Sequence, residues 1–161
     1  MGVVAATAAL TACSSSRHAA KKPPESHAVQ RSGLPKDRLI VLGLSIGAIS
    51  LGERRTTVME NFGPGKRSGR GAVSYFGHRL LVSYWFHDQL TGRVNFIKTT
   101  WAGFHTDSGL HVGTNRRDYY LPPGSCVHQT CALAAANGAD APGTFFGIRD
   151  GRFAWIAVGY S

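Results

Sequence analysis

The apolar positions of this chain follow two periods, and each predicts a different element. In LLVSYWFHDQLTGRVNFIKTTW, Leu80, Val82, Tyr84 and Phe86 alternate onto one face, the chain turns around Asp88 to Gly92, and it returns through Val94 to Trp101. FFGIRDGRFAWIAVGY reads as a second hairpin, because Asp150-Gly151 can take the positive backbone angles of a type I′ turn. The helical period appears in LGERRTTVMENFGPG, where Leu51, Val58, Met59 and Phe62 fall on one face. Ser50 and Glu53 have capping-box spacing ahead of it, and Gly63-Pro64 is a stop signal behind it.

These patterns recur. Sixty-one residues after Ser50-Leu51-Gly52 stands His111-Val112-Gly113, which opens VGTNRRDYYLPPG, with Val112, Tyr119 and Tyr120 in the places of Leu51, Val58 and Met59. Gly124 answers Gly63, while Pro122 and Pro123 end this second helix early. TGRVNFIKTTW and DGRFAWIAVGY align at an offset of 59. The predicted fold class is therefore α+β: short helices packed on an antiparallel sheet over residues 39–161, in two degenerate helix-plus-meander repeats at 47–105 and 106–161. LIVLGLSIGAISLG, residues 39–52, has fourteen residues where a membrane span needs about 20, and it predicts a buried strand entering the domain.

The amino terminus has a different character. VVAATAAL is a short apolar run, followed by Leu10-Thr11-Ala12-Cys13 and then a polar segment rich in Ser, Lys and Pro. The four residues ending at Cys13 resemble the bacterial lipobox. That resemblance implies a signal peptide at 1–12, a diacylglyceryl group on Cys13, and a lipid-anchored basic tether over 13–38 in the bacterial cell envelope, on the extracytoplasmic side. The positive start of a signal peptide is missing before Val3, so the expectation is that translation begins upstream of Met1. With Cys13 assigned to lipid, Cys126 and Cys131 remain as an even pair suited to an oxidising compartment, and they are predicted to form a disulfide.

Within the domain, Leu51-Gly52-Glu53 through Val58 and Phe62-Gly63-Pro64-Gly65 resemble the signature of the SmpA/OmlA and β-lactamase-inhibitor-protein-like group. The resemblance implies a small α+β module, often lipid-anchored in the envelope, that binds other proteins and has no active site.

Charge narrows the partners. The chain carries 18 Lys+Arg against 9 Asp+Glu, a formal net charge of +9. Such a balance suits nucleic acid, an anionic membrane surface or an acidic polymer. Nucleic acid is disfavoured, because strand-core packing accounts for the aromatic residues of YFGHRLLVSYWF. GPGKRSGRG lacks the order of a phosphate-binding loop, but Lys66, Arg67 and Arg70 in it are candidate anion contacts. The alternative is an exported hydrolase or metal-dependent enzyme using His105, Asp107 and His111, although no helical metal spacing or nucleophile elbow accompanies them. The reading is a non-catalytic protein- or polyanion-binding module with no cofactor and no metal, its contact surface being an exposed sheet face or the 63–71 loop.

Overall fold

The computed structural model describes residues 37–69, 71–85, 92–133 and 141–160. Strands β1 (Ile40–Val41), β2 (Ser45–Ile46) and β3 (Ile49–Ser50) form a small antiparallel sheet, followed by helix α1 (Arg55–Phe62). Then come β4 (Lys66–Arg67), β5 (Ala72–Tyr75), β6 (Leu80–Tyr84) and β7 (Val94–Thr99), a 3-10 turn at Arg116–Asp118, and β8 (Cys126–Val127), β9 (Thr130–Leu133), β10 (Gly143–Arg149) and β11 (Arg152–Gly159). These last eight strands make one antiparallel sheet in the order β4-β5-β6-β7-β11-β10-β9-β8.

The α+β expectation is overturned. The described residues hold eleven strands and one α-helix, so the domain is mostly β. A second helix does not form from Val112. Instead, the Asn115 side chain accepts from the Arg117 N–H and closes a single turn. Tyr119 then adopts an extended conformation, with its ring tilted against Phe146 and edge-on to Phe153, and the two prolines follow. The 39–52 stretch is also not one strand but three, because Gly43 and Gly47 turn the chain at φ values of 69° and 59°.

The helix that does form starts at Arg55, later than its apolar period suggests. Gly52 N–H donates to the Val94 carbonyl and Val94 N–H donates to the Glu53 carbonyl, which ties the turn at Gly52 and the extended Arg54 behind it to β7. Glu53 still accepts from the Ser50 N–H, as in a capping box, but it closes the turn ahead of the helix. Gly63 ends α1 at φ 80°, its N–H donating to Met59.

The two halves share their sheet pairing. Gly52 N–H to Val94 and Gly113 N–H to Phe153 are both 2.8 Å, and Arg55 N–H to Gly92 (2.9 Å) matches Arg116 N–H to Gly151 (2.8 Å). Arg93 donates a side-chain hydrogen bond to the Gly52 carbonyl, and Arg152 donates one to Gly113, each at 2.8 Å. A register shift falls between Ser83 and Tyr84 on β6 and again between Gly147 and Ile148 on β10. β7 and β11 meet at the centre with Ile97 opposite Val158 and Thr99 opposite Ile156, which leaves the Lys98–Ala157 pair on the local axis.

Alternation along the strands places Leu80, Val82 and Tyr84, Val94 and Ile97, Phe146, Phe153, Ile156 and Val158 on one face, all buried. Ile40, Ile46 and Ile49 of the small sheet, Val58 of α1, and Phe104, Leu110 and Leu121 of the connecting segment cover them in one cluster. Burying each such side chain is worth roughly 1.5–3 kcal/mol. Where the chain enters the domain, the Arg38 guanidinium lies 5.3 Å from the Trp101 ring centroid.

Candidate functional site

The opposite face of the eight-stranded sheet is built from the residues between the core positions. Directly paired residues share a face. Thus Leu81 opposite Lys98, Lys98 opposite Ala157, and Ala157 opposite Phe145 run across its middle, with Phe96 opposite Gly159 and Trp155 opposite Gly147 on either side. Phe96 and Trp155 occupy corresponding positions on β7 and β11, flanking the axis through Lys98.

Two glycines shape this face. A Cβ at Gly147 would collide with the Trp155 indole, and a Cβ at Gly159 would press on the Phe96 ring. Both rings therefore lie over bare backbone of the neighbouring strand. The Lys98 ammonium sits 4.6 Å from the Trp155 ring centroid, a cation–π contact worth about 0.5–2 kcal/mol. Phe96 and Phe145 stand 6.3 Å apart, their planes tilted by 39°.

Leu81, Phe96, Phe145 and Trp155 are half-buried and belong neither to the core cluster nor to the residues packed on it. The sequences of the eight strands contain no aspartate or glutamate, so the face is aromatic and cationic.

The residues singled out from the sequence lie elsewhere. Cys13 and Arg70 fall outside the described residues. Lys66 and Arg67 form the exposed edge strand β4, but Lys66 pairs with Ser74 on the outer face and Arg67 with Val73 on the core side, so their side chains diverge. Cys126 and Cys131 oppose each other across the β8–β9 hairpin with sulfurs at bonding distance, 2.10 Å. A ring that small contributes about 2 kcal/mol by loop entropy and staples the sheet's other edge.

His105 and His111 face each other across an isolated bridge, yet their rings turn to local backbone. His105 Nδ1 lies 3.3 Å from the Thr106 carbonyl, and His111 Nδ1 lies 2.8 Å from that of Gly109. Asp107 bonds to neither, and among the described residues no group of three His, Cys, Asp or Glu is placed to hold a metal. Among the described residues no hydrogen bond joins these three side chains.

Buried on the core side, the Tyr75 and Tyr84 hydroxyls stand 3.4 Å apart with the Arg55 guanidinium 5.5 Å from the Tyr84 ring centroid. Burial pushes both phenols above their ordinary ionisation range. For Tyr84 the Tyr75 hydroxyl pushes the same way, whereas for Tyr75 the Tyr84 hydrogen bond opposes it. This pair is a structural feature of the interior.

Compared with family models, curated proteins and solved structures, the chain matches none. The outer-face residues were not among the sequence candidates. Their one sequence signal is a glycine in each of two apolar strands, Gly147 within β10 and Gly159 at the end of β11, which marks a close approach. Among the described residues no helix is long and apolar enough to cross a membrane.

Proposed function

We propose that this protein is a lipid-anchored module of the bacterial envelope that binds another protein without catalysis, using the outer face of its eight-stranded sheet. The observation that carries the reading is the patch made by Phe96, Phe145 and Trp155 around Lys98, none of which belongs to the core cluster. Large aromatic side chains on a rigid sheet are the usual anchors of protein interfaces, since they bury much area at little entropic cost. With no carboxylate in the surrounding strands, the face suits a partner that brings its own acidic groups.

The lipobox resemblance at Leu10-Thr11-Ala12-Cys13 supports the anchor, and the opposed cysteines at 126 and 131 agree with an oxidising compartment. A polyanion has less support at the 63–71 loop, where Lys66 and Arg67 point to opposite faces.

The test is retention of proteins from a detergent extract of the producing cells' membranes on the immobilised full chain. The double variant Phe96→Ala/Trp155→Ala is expected to lose at least tenfold of a retained protein while keeping the parent's circular dichroism. Equal retention by parent and variant defeats the reading.

A further inference from the structure

One end of the sheet gathers exposed apolar side chains. Among the described residues seven large hydrophobics are exposed, and five of them belong to this rim: Val41 at 38%, Leu42 at 43%, Leu44 at 51%, Trp85 at 50% and Tyr160 at 37%. Val41 to Leu44 form a turn, Leu44 N–H donating to Val41, which is tied to the start of β10 by the Gly43 N–H bond to Thr144 Oγ1 at 2.7 Å. Gly143 pairs with Gly159, the residue before Tyr160, and the Tyr160 ring lies 5.9 Å from Trp85. The turn and the aromatic pair therefore share one end of the strands.

The same end is positively charged. Arg54 and Arg93 stand opposite each other across an antiparallel bridge, both exposed, Arg93 keeping one guanidinium N–H on the Gly52 carbonyl, and Trp85 N–H donates to the Arg93 carbonyl. Like charges at directly opposed positions are destabilising, and an anion beside them offsets that cost. Glu53, the one carboxylate on these described segments, is turned back onto the Ser50 N–H.

We propose that this rim docks on the surface of an anionic bilayer. Leu42 and Leu44 enter the acyl boundary, Trp85 and Tyr160 lie at headgroup level where amphipathic rings are favoured, and Arg54 and Arg93 contact lipid phosphates. Aliphatic tip, aromatic belt and arginine pair together match the chemistry of that interface, and the chain's net charge of +9 complements it. The strands then stand on the membrane and the outer face looks sideways. The inference extends the reading of a membrane-anchored protein but does not require the acyl chain.

The test uses the full chain carrying Cys13→Ser, so that no lipid is attached, with sucrose-loaded vesicles of equal parts phosphatidylglycerol and phosphatidylcholine. Leu42→Ser/Leu44→Ser is expected to weaken co-sedimentation at least tenfold. Arg54→Gln/Arg93→Gln should weaken it severalfold on these vesicles and leave binding to pure phosphatidylcholine unchanged. Brominated acyl chains should quench tryptophan emission, and Trp85→Phe should remove most of that quenching.

If the serine variant sediments like the parent, as it would were binding carried by the basic residues of 14–36 alone, or if no quenching occurs, the docking surface is refuted. The anchor is tested apart from it, by radioactive palmitate labelling that must vanish in Cys13→Ser, so either result can fail without the other.

Discussion

Phe146→Ala is expected to destabilise the domain by about 3–5 kcal/mol, the range for removing a fully enclosed phenylalanine. Its ring has no exposure and stands 5.2 Å from Phe153 and 6.1 Å from Tyr119. It thus joins the middle of the sheet to the segment around the 3-10 turn. Its neighbour in the chain, Phe145, faces the other way, so Phe145→Ala should cost about 1 kcal/mol or less, because a ring only partly buried loses less burial. Urea unfolding of the two variants side by side measures the difference. Similar losses would mean that the two faces of β10 are assigned wrongly.

The second large effect is a loss of stability in alkali. Tyr84 is held above its ordinary value of 10.0 chiefly by burial and then by the Tyr75 hydroxyl, and Tyr75 is raised chiefly by burial. In the unfolded chain both phenols ionise near 10, while in the fold they hold their protons to higher pH. Above that pH the unfolded state binds fewer protons than the native one, so stability falls as pH rises and is fully present below about 10. The slope is at most about 1.4 kcal/mol per pH unit for each phenol. Thermal unfolding between pH 9 and 12 should show this decline, and Tyr84→Phe should flatten it. A parent and variant with the same pH dependence would remove the tyrosine pair as its cause.

Local signals were legible where one residue type admits one conformation. Asp150 and Gly151 take positive φ values of 52° and 72°, as the hairpin signal requires, and Gly63 stops α1. Leu80, Val82 and Tyr84 point inward as their alternation says. The second helix misled because Val112, Tyr119 and Tyr120 have helical spacing but different fates: Tyr119 packs beside Phe146 while Tyr120 is 80% exposed. Periodicity reports that residues are apolar, not what they touch.

The outer face was hidden for a related reason. Phe145-Phe146, Phe96-Ile97 and Trp155-Ile156 are adjacent apolar pairs, so alternation alone cannot say which member faces the core. The register decides it, by pairing Trp155 with Gly147 and Phe96 with Gly159. That register depends on β7 meeting β11 across nearly 60 residues of chain, a long-range contact no local signal contains.

The central claim, that the outer face is where a partner protein sits, is tested most directly by photocrosslinking in the producing cells. Benzoylphenylalanine placed at position 96 or 155 of the full chain should give, on irradiation, a discrete protein adduct, and the same group at Glu60, exposed on α1, should give none. Adducts of equal yield from position 60, or no adduct from 96 and 155, would contradict it.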